Sequence, residues 1–268
     1  MIKKQLFISN LCWKKKDIEF IIDCLKREHI YGIDFAPLNY FNTWKNILKN
    51  SKKLSSIFKK KRIKINALQG IFFKKNLNLF KTKDKKKIIN HFKLVIKLCK
   101  IFKTNKIILG SANFRDPKNM NFNDADHNFV IFFKHLNKFF IRDNIYLCIE
   151  TIPKRYGEKY IYNISHLNTL ISKINSTNIK INFDTSIYHN KKFEKNRFIN
   201  NLNNIKNIQI SQPNFKYFES PTKKNIKFLK IFKTQKKINK ISLEIIDNQL
   251  NKLKFLKSLR NFKTNISN

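Results

Sequence analysis

The feature that most constrains this chain is a rhythm. Eight short apolar runs alternate with eight longer segments whose apolar residues recur at helical spacing. The short runs lie at residues 5–9, 32–36, 63–68, 106–109, 145–149, 179–183, 208–210 and 240–243. Most are bounded by turn-forming or polar residues, the pattern of strands buried on both faces. The helical segments are 16–28, 43–59, 84–102, 124–142, 165–174, 193–202, 221–233 and 250–259. The clearest is 84–102, where Ile88, Phe92, Val95, Ile96 and Cys99 fall on one side. Pro221 fits the first turn of its helix, where a missing N–H costs nothing. Strict β-then-α alternation over 268 residues predicts an α/β fold of one domain, a (β/α)8 TIM barrel over 1–263 with a frayed tail at 264–268. An open doubly wound sheet would want a glycine-rich phosphate loop after a strand, and the chain has only four glycines.

Composition narrows the function classes. A formal charge of +40 would ordinarily point to nucleic acid. Only seven of the 57 basic residues are arginine, however, although arginine is the better fork for phosphates and base edges. The lysines run along the whole chain beside many Asn, Ile and Phe, all residues with A/T-rich codons. A base-composition bias therefore accounts for the charge, and no specific nucleic-acid partner is expected. No apolar run approaches the roughly 18–20 residues of a membrane span, and the N-terminus lacks a secretory pattern. A cytoplasmic protein without a membrane partner is the expectation. Cys12, Cys24, Cys99 and Cys148 form no CxxC pair and read as buried free thiols.

The last four strands each deliver a polar group at their C-terminal end: Glu150, Asp184, Gln209 and Glu244. Glu150 is followed at once by Pro153 and Gly157, which force an irregular loop. In a closed barrel these four side chains point into one mouth, where barrel folds place their chemistry. Three carboxylates and an amide oxygen converging there are costly without a positive charge between them. A divalent metal resolves the problem, and all-oxygen ligands favour a hard ion, Mn²⁺ or Mg²⁺. Taken singly, any of the four could be an ordinary polar strand end.

Other residues fall near the same mouth. Ser111 and Arg115 follow the fourth strand and could hold a sugar hydroxyl, carboxylate or phosphate; Arg115 could equally pair with Asp116 or another surface acid. Gln69 and Asn10, after the third and first strands, could donate to a polyol or satisfy loop backbone. Arg155 and Tyr156 could cover a substrate from the loop after Glu150. Asp34, inside the second strand, either reaches the mouth or forms a buried pair. Trp13 and Trp44 are expected to pack under loops. His91, His127, His135 and His166 fall in helices and read as packing or surface groups.

On several short motifs the chain resembles the sugar phosphate isomerase/epimerase family of xylose isomerase-like TIM barrels. They are ISNLCW at 8–13, GIDFAP at 32–37, ALQGIFF at 67–73 with NLF at 78–80, and LGSANFR at 109–115. IETIPKRYG at 149–157, INFDTS at 181–186, IQISQPNF at 208–215 and SLEII at 242–246 complete the set. Each is weak alone; their order and spacing over nearly the whole chain carry the resemblance. It implies a divalent metal held at Glu150, Asp184, Gln209 and Glu244. It also implies proton removal and return by Glu150 and Glu244 on a small sugar or sugar derivative, through an enediolate.

Two departures stand out. The family's strand-seven histidine is Gln209 here, and the glutamate of the same motif is Gln212. A substrate histidine three residues after the strand-six Asp is replaced by Ile187, with His189 two positions on. A non-catalytic sugar-binding barrel is the alternative that Gln209 favours. An abasic-site endonuclease-like barrel would need several histidines for a zinc cluster, which the strand ends do not supply. The sequence leaves open which sugar is used, whether it is phosphorylated, and whether the chain forms a homo-oligomer.

Overall fold

The computed structural model describes residues 4–189, 193 and 195–267. Eight parallel strands form one closed barrel in sequence order. They are β1 (Gln5–Ser9), β2 (Gly32–Phe35), β3 (Lys64–Leu68), β4 (Lys106–Leu109), β5 (Tyr146–Glu150), β6 (Ile179–Asp184), β7 (Ile205–Ser211) and β8 (Lys240–Glu244). The helices among the described residues are α1 (Ile18–Arg27), α2 (Pro37–Phe41), α3 (Ile47–Lys60), α4 (Lys85–Phe102), α5 (Phe122–Arg142), α6 (Ile164–Ile174), α7 (Lys195–Asn200), α8 (Lys223–Thr234) and α9 (Lys252–Ser267). By internal contacts the chain divides into two compact units. One contains β1, β2 and β8, the other β4 and β5, and β3, β6 and β7 are divided between them.

Register in the first unit sets which side chains share a level. Ser9 pairs with Asp34, Phe7 with Ser242, Gln209 with Ser242, and Ser211 with Glu244. Gly32 is required at the start of β2, because a Cβ there would lie 1.8 Å from the Lys64 carbonyl oxygen. Asp34, Asn66, Asn207 and Gln209 are all buried in this unit, an unusually polar set for a barrel fold. Burial on this scale demands hydrogen-bond partners, and these residues find them in one another.

The second unit is packed with phenylalanine. Phe92 of α4 meets Phe133 and Phe140 of α5 edge-on, at 6.4 and 5.8 Å between ring centres, and Phe129 lies 4.5 Å from Phe133. Each such ring, fully buried, contributes roughly 1.5–3 kcal/mol. Ala67, Ile108 and Cys148 form an apolar cluster covered by Tyr146. All four cysteines are buried, and none is in a disulfide.

Several boundaries differ from the sequence expectation for local reasons. The helix expected over 43–59 begins only at Ile47, because its N-cap Asn46 adopts left-handed backbone (φ 56°). Pro221 lies outside α8, whose N-cap is Thr222; its hydroxyl accepts from Asn225 N at 3.2 Å. Strand β7 continues to Ser211 rather than stopping at residue 210. Helix α9 extends to Ser267. Among the described residues no helix is long and apolar enough to cross a membrane.

Candidate active site

Asp184 closes β6 and caps the short 3-10 turn Thr185–Tyr188. Its Oδ1 accepts from Ser186 N at 2.5 Å and from Ser211 Oγ at 2.7 Å. Its Oδ2 is buried and has no hydrogen-bond partner among the described residues. A buried carboxylate oxygen left bare costs about 1–3 kcal/mol or more. Glu244 closes β8 level with Ser211 and is almost fully buried. In the other unit Glu150 closes β5. A Cβ on Gly110 would sit 2.3 Å from Glu150 Oε2, so the glycine after β4 is what admits this carboxylate.

Glu150, Asp184 and Glu244 each offer one oxygen, and the three oxygens lie within 4.8 Å of one another. Charged carboxylates this close repel by roughly 3–4 kcal/mol per pair at an intermediate dielectric. Oxygens bound to a hard cation at about 2.1–2.4 Å stand at most some 4.2–4.8 Å apart, so this spacing suits such an ion. The bare Asp184 Oδ2 and the all-oxygen donor set fit a divalent cation. Among the described residues the cluster contains no histidine or cysteine.

Gln209 does not end its strand; Ser211 does, and Gln209 lies one pleat deeper. It is fully buried, and its Nε2 donates to Asp34 Oδ2 at 3.3 Å. Asp34 Oδ1 accepts from Asn66 Nδ2 at 2.7 Å, and the same Nδ2 lies 3.1 Å from Asn207 Oδ1. Of the two roles open to Asp34, the buried pairing is the one present. Gln212 braces the entry to α8: its Oε1 accepts from Asn225 Nδ2 and its Nε2 donates to Ser220 O.

The expected substrate contacts separate into two groups. Asn10 is committed to loop backbone, since its Oδ1 accepts from Ala36 N at 2.6 Å and its Nδ2 donates to Ala36 O at 3.1 Å. Arg115 is wholly buried and pairs with neither Asp116 nor a surface acid. Its Nε and Nη2 donate to Glu158 Oε2 at 2.8 and 2.6 Å, with both side chains 0% exposed. Glu158 Oε1 accepts from Tyr160 N and Ile161 N, both at 3.0 Å. The guanidinium therefore straps the loop after β5 to the loop after β4. Tyr160 continues the network through its hydroxyl to Asp126 Oδ1 at 2.7 Å, which His166 Nε2 also contacts at 2.8 Å. Burial pushes the Tyr160 phenol well above its ordinary range.

Ser111 is half-buried and lines a cleft of about 670 Å³ with Phe72, Asn78, Lys81 and Lys118. Gln69 is buried just beyond β3. Arg155 is exposed, its guanidinium 4.8 Å from the centre of the Tyr156 ring. His189 ends the turn after Asp184, and its carbonyl accepts from Lys224 Nζ at 2.9 Å. Two contributors escaped the sequence reading. Ser211 carried a signal, a hydroxyl at a strand end. Glu158 showed only as one acid among lysines.

The family model for xylose isomerase-like TIM barrels matches residues 27–260. The chain belongs to this family. Solved barrels with the same fold include 3-keto-D-glucoside 4-epimerase from E. coli, YcjR, at 11% identity and TM-score 0.75, over 98% of this chain and 100% of that one. The D-allulose 3-epimerase of a Methylomonas species, solved with D-allulose, is 11% identical with TM-score 0.73, over 98% and 96% of the two chains. A family 2 AP endonuclease from Brucella melitensis is 9% identical with TM-score 0.73, over 93% and 96%. A comparison with curated proteins returned no match. At these identities the likeness establishes the fold, and the choice of reaction falls to the site residues.

Proposed function

We propose that this xylose isomerase-like barrel is a metal-dependent isomerase or epimerase of a small sugar or sugar derivative. The carrying observation is the Glu150–Asp184–Glu244 cluster with its bare, buried Asp184 oxygen. Sugar epimerases among the structural neighbours support the substrate class. The three carboxylates would hold one Mn²⁺ or Mg²⁺, with Gln209 as a neutral ligand through its amide oxygen. When bound, the ion neutralises the carboxylates and polarises the sugar's carbonyl and hydroxyl oxygens.

The chain's own groups move the protons. One of Glu150 and Glu244 takes the proton from the carbon beside the carbonyl, and electrons shift onto the carbonyl oxygen to give an enediolate. The other glutamate delivers a proton to the same carbon from the opposite face, giving the epimer; delivered instead to the neighbouring former carbonyl carbon, while the hydroxyl proton of the first carbon passes to the former carbonyl oxygen, it gives the isomer. Asp184, pinned by Ser186 and Ser211, has no freedom to act as a base and serves as a fixed ligand. Ser111, Gln69, Arg155 and His189 remain the substrate-facing candidates, while Arg115 and Asn10 hold loops in place.

A second reading, sugar binding without turnover, is favoured by neutral Gln209 in place of an imidazole. Metal analysis of the purified protein separates the readings. About one Mn²⁺ or Mg²⁺ per chain supports the isomerase. Several zinc ions per chain would indicate the endonuclease type of site, and no binding at millimolar metal would leave only the sugar-binding barrel.

A further inference from the structure

The two ends of a glutamine amide have nearly the same shape, so packing alone does not decide which end faces a ligand. Here a buried anion decides it. Asp34 is fully buried, and a carboxylate can only accept. Its Oδ2 takes Gln209 Nε2 at 3.3 Å and its Oδ1 takes Asn66 Nδ2 at 2.7 Å. Turning the Gln209 amide over would set its carbonyl oxygen against the Asp34 carboxylate, two acceptors with no proton between them. Asn66 is itself held by Asn207, so Asp34 cannot swing away without breaking a second buried contact.

We infer that Asp34 is a positioning residue: it fixes the Gln209 amide with nitrogen toward Asp34, so that oxygen is the end presented to the divalent cation. The inference rests on the metal-dependent reading given above. It explains how glutamine can stand where the family resemblance puts histidine. An imidazole at this position would donate one ring N–H to the carboxylate and ligate through the other nitrogen, a division of labour common around metal sites. Gln209 performs both tasks with the two ends of one amide. The Asp34 charge also polarises that amide, which raises electron density on the ligating oxygen and partly offsets its neutrality.

The test is Mn²⁺ affinity of the purified full-length chain, by titration calorimetry or by the loss of the free-ion EPR signal, with thermal melts in parallel. In Asp34→Asn the partner at position 34 can donate or accept, so the Gln209 amide loses its preferred orientation. Mn²⁺ affinity should fall about 10- to 100-fold. Gln209→Met, which leaves Asp34 intact, should weaken Mn²⁺ at least as much, and adding Asp34→Asn to it should weaken binding no further. A purely structural role for Asp34 would lower the melting temperature without this metal-specific, Gln209-dependent loss. Unchanged affinity in Asp34→Asn overturns the inference and leaves the metal reading standing. Should Asp34→Asn not fold, unchanged affinity in Gln209→Met overturns it equally. If the wild-type chain binds no Mn²⁺ at millimolar concentration, the metal reading fails and takes this inference with it.

Discussion

Glu158→Gln tests whether Arg115 serves structure or substrate. Both side chains are 0% exposed, and the guanidinium spends two N–H groups on one carboxylate oxygen. Removing the charge at position 158 leaves an uncompensated guanidinium in a site sealed from water, and breaking such a buried pair costs roughly 3–5 kcal/mol. The amide carbonyl introduced at that position can still accept from Tyr160 N and Ile161 N, so the loss is dominated by the arginine. In a chain of this size that energy corresponds to about 6–20 °C in melting temperature. The assay is thermal unfolding followed by circular dichroism, for Glu158→Gln, for Arg115→Met and for the pair together. The double variant should be more stable than Glu158→Gln alone, because it no longer buries a lone charge. An Arg115→Met protein with unchanged melting temperature and a raised KM for sugar would refute this reasoning and restore Arg115 as a clamp.

Three further outcomes are expected. His91 is 5% exposed and bonded through Nε2 to Ile71 O, and burial pushes its imidazole down to about 4. Between pH 6.5 and 4 the unfolded chain takes up a proton that the folded one refuses. Stability therefore falls by up to about 3 kcal/mol as pH drops through that window, and His91→Phe should remove this component from denaturant melts. Lys103 terminates α4 with φ 53°; Lys103→Gly should raise stability by up to about 1 kcal/mol in the same melts. Gly110→Ala would press a methyl onto Glu150 Oε2, so Mn²⁺ affinity should fall at least tenfold while the melting temperature of the metal-free protein barely moves.

The barrel was legible because each strand is a short apolar run with a clear stop, and because eight such runs alternate with helical periods. Glu150, Asp184 and Glu244 could be read from those stops, since each follows directly on buried apolar residues. Apolar character ceases at Ile210, which makes Gln209 look like a strand end, yet the backbone ladder continues through Ser211. Hydrogen bonding extends a strand past its apolar residues, and sequence pattern does not report it. Arg115 hides its pairing for a different reason. Its partner Glu158 is 43 residues away, and no local periodicity couples two loops across that separation. The choice for Asn10 between a polyol and loop backbone, and the place of Pro221 outside its helix, turn on a single residue, where one backbone carbonyl or a neighbouring threonine cap decides.

The central claim is that Glu150 and Glu244 pass protons at a sugar carbon beside a bound divalent ion. Incubating the protein with ketoses and aldoses in D₂O, with and without Mn²⁺, measures this directly by solvent deuterium appearing at the carbon α to the carbonyl. The account predicts metal-dependent incorporation into at least one sugar, lost in Glu150→Gln and in Glu244→Gln. Incorporation that persists undiminished in Glu150→Gln, or that ignores removal of the metal, would contradict it.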